Sequence, residues 1–330
     1  MLKSGRICFA ACTGTVLGEL MRNGFLSRED VNRLVAEAGL QDKPWIEFDR
    51  DVFTASYNRL PFLVNHRLDQ HPKFTFAQLF RLCKRLPPNQ VKLRVGKVPD
   101  DTDFDASLER FNQGLLLDDA MAHFEERQAY IVINFPERDP EYRPIIDAFL
   151  GEIAAQTEVL EPGLNWYATY IFITAQDSVT PYHMDREMNF LLQICGSKTV
   201  RLWDPFDDAI MTPVQKDRLL SDRDDPRPPY QQSFEAKAKI FELRPGLGVH
   251  HPFIAPHLVK TGPAPSISLA ITFRSERSDV WTDAHRVNHR LRKFGLRPIP
   301  VGTSLLVDRT KAGLLRIARK TRKAIRAFAH

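Results

Sequence analysis

Val179-Thr-Pro-Tyr-His-Met-Asp-Arg-Glu-Met-Asn-Phe-Leu-Leu-Gln-Ile-Cys-Gly-Ser-Lys198 is the stretch on which the reading of this chain turns. Asn189 to Ile194 reads as a strand, closed by the turn signal Gly196-Ser197, and Lys198 opens the next run. His183 and Asp185 stand two residues apart beside it. On a strand, residues i and i+2 project from one face, so one imidazole and one carboxylate converge. A third ligand from a distant strand would complete a facial triad, the set that holds non-haem iron(II) with positions left open. Alone, a His-x-Asp pair is weak, because a strand-edge histidine near a carboxylate arises easily by chance.

Working outward, short β-like runs fill residues 165–275: Tyr167–Thr174, Asn189–Ile194, Lys198–Trp203, Ala238–Leu243 and Ser266–Phe273. Turn signals such as Pro245-Gly246 divide them, which argues for a barrel or a double-sheet jelly roll. The expected third ligand is His257, in Ala255-Pro-His-Leu-Val-Lys-Thr-Gly262 just before the last of these runs. His250 and His251 compete for the role, His251 being the closer rival. Lys198 opens an otherwise apolar strand, and a lysine buried there asks for an anionic partner.

The full motif resembles the JmjC/cupin-like Fe(II)/2-oxoglutarate-dependent oxygenases, and among them is similar to the asparaginyl hydroxylase that inhibits the hypoxia-inducible factor. The shared pattern is V-T-P-x-H-x-D-x-x-x-N-F-x-x-Q-I-x-G-x-K, sharp over residues 179–205 and looser over 45–275. The resemblance implies a mainly β fold with helical additions: a double-stranded β-helix (cupin or jelly-roll, JmjC-like) core flanked by N- and C-terminal helices. It implies iron(II) on His183, Asp185 and His257, with 2-oxoglutarate as cosubstrate. Lys198 and Thr180 would bind the far carboxylate of that cosubstrate, and Asn189 would lie beside it. Thr272 stands where that hydroxylase often has asparagine. An alternative anchor, Arg274, lies further beyond His257 than such an arginine usually does. The implied reaction is hydroxylation, or demethylation if the oxidised carbon bears nitrogen, of an unidentified small molecule, peptide or protein. Trp166, Tyr167, Tyr170, Tyr182 and Trp203 lie near enough to line the pocket or to be core, and Tyr182 is expected on the face away from the ligands.

Three regions follow: a helical segment 1–43 carrying a Ser27-Arg-Glu-Asp30 capping pattern, the oxygenase domain 44–278, and a basic helical segment 279–330. Within the middle region, Pro61–Val64 and Val91–Val95 read as strands. Thr75–Leu86, Leu115–Gln128 and Tyr142–Gln156 read as helices. The Asp204–Tyr230 loop is expected to help frame the cavity mouth. With 43% hydrophobic and 26% charged residues the composition is that of a globular protein, and no apolar run reaches transmembrane length. Lys3, Arg6 and the apolar Ile7–Leu17 read as a cytosolic amphipathic helix, a signal peptide being the alternative. Four cysteines without metal-like spacing suit a reducing, cytoplasmic setting.

The net charge of +5 is unevenly spread, since residues 281–330 hold 13 Lys/Arg against Asp283 and Asp308. The tail is therefore a basic amphipathic helix over an acidic remainder. It is expected to pack on that remainder or on a second copy as a homodimer. The alternative is a catalytically silent cupin-like regulator whose tail binds nucleic acid or another anionic surface.

Overall fold

Residues 44–111, 114, 116–221 and 227–328 are described by the computed structural model, the last helix with side chains through Thr321. Segment 1–43, with the Ser27 capping pattern, Cys8 and Cys12, lies outside them, as do residues 222–226 of the Asp204–Tyr230 loop.

In chain order the elements are β1 (Ile46–Glu47), α1 (Arg50–Ser56), β2 (Leu63–His66), α2 (Phe76–Arg85), β3 (Val91–Arg94), α3 (Phe104–Leu108) and α4 (Leu117–Ala122). There follow β4 (Tyr130–Asn134), α5 (Arg143–Thr157), β5 (Leu164–Thr174), β6 (Val179–Met184), β7 (Met188–Cys195) and β8 (Lys198–Leu202). The chain ends with α6 (Pro213–Ser221), β9 (Lys239–Leu243), β10 (Leu247–His251), β11 (Pro256–Thr261), β12 (Ser266–Ser275), α7 (Glu276–Lys293) and α8 (Leu305–Phe328).

Local chemistry sets several of these limits. Thr75 caps α2 by accepting a hydrogen bond from Gln78 N, and the helix stops at Leu86 because the residue before Pro87 is pushed out of the helical region. Ser275 and Ser278 form a reciprocal capping box that starts α7 directly at the end of β12. Gly196 turns β7 into β8 at φ 69°, and a Cβ there would stand 2.4 Å from Pro265 O, so only glycine fits. The helix expected over Leu115–Gln128 is shorter than its pattern suggests. After Ala122 the chain turns so that Phe124 packs against Phe76 and Phe80, and Gln128 reverses it at φ 49°.

Two antiparallel sheets carry the fold. The larger runs β1-β2-β10-β7-β12-β5-β4-β3 and the smaller β6-β11-β8-β9. Alternation along β5 shows their roles. Ile171 and Ile173 join the main core with Ile146, Phe149 and Ile153 of α5, while Tyr170 and Phe172 face the other way, toward Val200 and Val259 of the smaller sheet. Between the sheets lie a smaller apolar cluster, including Val200, Leu202 and Val249, and a cavity.

Candidate metal centre and its cavity

His183 and His257 are direct cross-strand partners in the β6–β11 pair, which places two imidazoles side by side. Their ring centroids lie 4.1 Å apart. Asp185 follows immediately after β6 and reaches back between them, its Oδ1 3.9 Å from His183 Nε2 and its Oδ2 3.9 Å from His257 Nε2. Ligand atoms of all three lie within 4.8 Å of one another.

Both histidines are held in the tautomer a metal needs. His183 Nδ1 lies 2.8 Å from Pro181 O and His257 Nδ1 lies 3.0 Å from Ala255 O. A carbonyl only accepts, so each Nδ1 carries the proton and each Nε2 lone pair is presented to the shared space. Burial holds the His183 pKa well below the usual histidine range, with His257 and Arg227 adding to the effect, so that ring is a neutral donor. Two imidazoles and one carboxylate on one side of an otherwise open space form a facial set that suits iron(II).

The triad opens into a cavity of about 210 Å³ between the sheets, lined also by Thr180, Asn189, Lys198 and Thr272. Lys198 is 3% exposed, and its ammonium donates to Ser268 Oγ at 2.6 Å beside the Phe172 ring. No carboxylate pairs with it among the described residues, and burial brings its pKa down to about 7. Thr180 Oγ1 lies 2.5 Å from the Tyr130 hydroxyl. Asn189 is buried, and its Oδ1 has no partner among the described residues. Thr272 donates to Ala168 O, so its hydroxyl proton is engaged with the sheet. The six expected residues besides Thr272 thus surround one space with donors and acceptors left to use.

The rival histidines separate cleanly. His250 is structural: its Nε2 accepts from Asn58 N, so its Nδ1 donates to Asn189 O, and its ring stacks with Tyr57. His251 lines the cavity 4.6 Å from the His257 ring, yet stands outside the ligand cluster, with neither ring nitrogen hydrogen-bonded among the described residues. Arg274 is away from the cavity, over Trp166 and 3.6 Å from Asp279.

Of the five aromatics expected near the motif, only Tyr170 lines the cavity. Tyr182 and Trp203 pack with Tyr230 and Phe234, as expected of a residue alternating with His183, and Tyr167 donates to Asp147. The Asp204–Tyr230 loop contributes no lining residue among those described, which corrects the expectation that it frames the mouth. Instead it contains α6, and its Arg227 packs on Phe104 and pairs with Asp105. Phe104, Arg94 and Tyr130 escaped sequence reasoning. Only Tyr130, in the apolar run Tyr130–Asn134, carried a usable signal, an inward-facing strand position.

No protein-family model matches the sequence, and the comparison with curated proteins found no match. Among solved structures, similar ones include the ribosomal oxygenase YcfD of Escherichia coli with cobalt and 2-oxoglutarate, at 11% identity and a TM-score of 0.45. The same protein with cobalt and succinic acid is 12% identical at a TM-score of 0.43. In both cases 84% of this chain is covered and 68% of the other. These are distant similarities of shape, at identities where activity does not transfer.

Proposed function

We propose that this chain is an Fe(II)- and 2-oxoglutarate-dependent oxygenase of the JmjC/cupin-like kind, with residues 44–278 as its oxygenase domain. The observation that carries the reading is the pairing of two features in one cavity. One is a His-Asp-His set with both Nε2 lone pairs presented. The other is a buried lysine with no acidic partner among the described residues. A lysine left uncompensated in a dry cavity is costly unless a ligand supplies the counter-charge. The order of strands supports a jelly-roll core, since from β5 to β8 the chain crosses between the two sheets at every step.

His183, Asp185 and His257 would hold iron. With 2-oxoglutarate and O₂ the metal supplies oxidation of a substrate C–H bond, the cosubstrate leaving as succinate and carbon dioxide. The chain's own work is positioning. Lys198 neutralises the far carboxylate of the cosubstrate, Thr180 and Tyr130 offer hydroxyls to it, and Asn189 and Thr272 bound the space beside the metal. The apolar walls Phe172, Leu191, Val259 and Ala270 keep water out. Hydroxylation is the favoured outcome over demethylation. The finer likeness to an asparaginyl hydroxylase rests on residues 179–198 and names no substrate.

The tail belongs to the fold in this reading. Arg316 and Arg319 are engaged with Asp283 of α7, and Lys311 donates to Ile299 O, which leaves less basic surface for nucleic acid. Exposed Leu306, Leu314 and Ile317 fall on one face of α8 and support a homodimer through the C-terminal helices. A reducing, cytoplasmic setting fits the free Cys83 and Cys195.

Calorimetry tests the site directly. With Mn(II) standing in for iron, 2-oxoglutarate binds the wild type only in the presence of metal, and His183→Ala abolishes the metal-dependent part. Metal-independent binding of equal strength in both proteins would remove the reading.

A further inference from the structure

Beyond the charges the proposed reactants use, the cavity is lined by two cations, Arg94 and Lys92, and one carboxylate, Glu187. A divalent metal and Lys198 are balanced by Asp185 and the two carboxylates of 2-oxoglutarate. Arg94 is 3% exposed, lines the cavity, and lies over the Tyr130 ring with its guanidinium carbon 4.0 Å from the centroid. Among the described residues its hydrogen bonding is a single donation from Nη2 to Val179 O at 2.5 Å. Its Nε is buried with no partner among the described residues. Burial lowers its pKa, and Arg110, a further cation, acts in the same direction.

Lys92 doubles the charge. It stands two residues before Arg94 on β3, so both project from the inner face while Val91 and Leu93 face the core. β3 is the edge of the larger sheet, and Lys92 is the exposed member of the pair. Lys92, Val132, Phe172 and Ser268 are register neighbours across β3, β4, β5 and β12. Ser268 receives the Lys198 ammonium, and its backbone is three strand spacings from that of Lys92, about 14 Å. The Tyr130 ring stands between Arg94 and the Thr180 hydroxyl.

We infer that Lys92 and Arg94 seat an anionic group of the primary substrate, a carboxylate or a phosphate, at the β3 end of the cavity, opposite the cosubstrate's lysine. A planar guanidinium whose Nε is unpaired among the described residues, beside a more solvated ammonium, is the usual protein device for such a group. The inference rests on the oxygenase reading for the place of 2-oxoglutarate, and it narrows the substrate to an acidic small molecule or a chain bearing an acidic group.

The test titrates inorganic phosphate into the Mn(II)-loaded full chain saturated with 2-oxoglutarate. Phosphate binds the wild type with 2-oxoglutarate in place, and Arg94→Gln weakens it at least about tenfold, the loss expected for a charge-assisted hydrogen bond. Lys92→Gln weakens it about threefold by the loss of a more solvated charge. The affinity for 2-oxoglutarate stays within about twofold in both variants. The inference is overturned if phosphate fails to bind a wild type that does bind 2-oxoglutarate, or if 2-oxoglutarate displaces it. It is overturned equally if Arg94→Gln weakens 2-oxoglutarate as much as phosphate, which would make Arg94 part of the cosubstrate seat. Should Arg94→Gln not fold, Lys92→Gln decides, and unchanged phosphate affinity there contradicts the proposal. A wild type that does not bind 2-oxoglutarate at all sinks the oxygenase reading instead; phosphate binding to the Mn(II)-loaded protein and its Lys92→Gln variant then decides the anion seat on its own.

Discussion

Phe104 lies flat on His183, with ring centroids 3.9 Å apart and planes within 4° of parallel. The guanidinium of Arg227 also lies over the Phe104 ring, 4.8 Å from its centroid, and Arg227 is tied to Asp105 on the same short helix. The imidazole is thus fixed by a backbone carbonyl at Nδ1 and by an aromatic plate on its face. Groups that hold a ligand's orientation count nearly as much as the ligand itself.

Phe104→Ala therefore loosens the metal without removing any ligand. The expected effect is about a tenfold rise in the Mn(II) dissociation constant, at the lower end of what outer contacts contribute. Phe104→Leu should recover part of it. Equilibrium dialysis measures both, and unchanged affinity in Phe104→Ala would show the stack to be idle.

His257 and His251 differ in role although only six residues and 4.6 Å separate them. His257→Ala should abolish metal binding. His251→Ala should leave metal stoichiometry at wild-type level, because His251 lies outside the ligand cluster. Metal analysis of the two purified variants distinguishes them, and the opposite pattern would exchange their roles.

Lys198 gives a pH signature. Burial lowers its pKa to about 7 in the ligand-free protein, against an ordinary lysine value near 10.4. Between those values the unfolded chain holds a proton that the native protein has lost, so this group makes stability rise with pH across that window. An arriving carboxylate favours the charged form, so 2-oxoglutarate binding at pH 8 to 9 should take up a proton. Calorimetry in buffers of different ionisation enthalpy reads that uptake, and Lys198→Met should remove it and weaken 2-oxoglutarate at least about tenfold. Binding without proton uptake would place Lys198 away from the ligand.

Asp283 ties the last helix to the fold. It is buried and accepts from Arg286, Arg316 and Arg319. Because the arginines are partly solvent-screened, Asp283→Asn should cost only about 1–2 kcal/mol in denaturant unfolding. Mn(II) affinity should be unchanged, and a loss of metal binding would mean that α7 and α8 act on the site.

How far the sequence reached follows from where each signal lies. His183, Asp185, Lys198 and the strands from Tyr167 to Phe273 were legible because strand periodicity and one motif fix them locally. His257 was legible through its place before the last strand, though only the cross-strand register with His183 separates it from His251. Arg94, Phe104 and Arg227 were not. They come from an edge strand, a five-residue helix and a loop, and meet the site only through tertiary packing. The helix expected over Leu115–Gln128 stops early, at Ala122, for the same reason, since packing of Phe124 outweighed its helical pattern. The Ser27 capping pattern lies outside the described residues.

The central claim is tested most directly by following 2-oxoglutarate in air with the purified wild type, with and without Fe(II), beside His183→Ala and Asp185→Ala. Even without the substrate, slow conversion to succinate that needs Fe(II) and is abolished in both variants is the predicted result. Succinate formed at equal rates by the variants, or none from a wild type that binds both metal and 2-oxoglutarate, would contradict it.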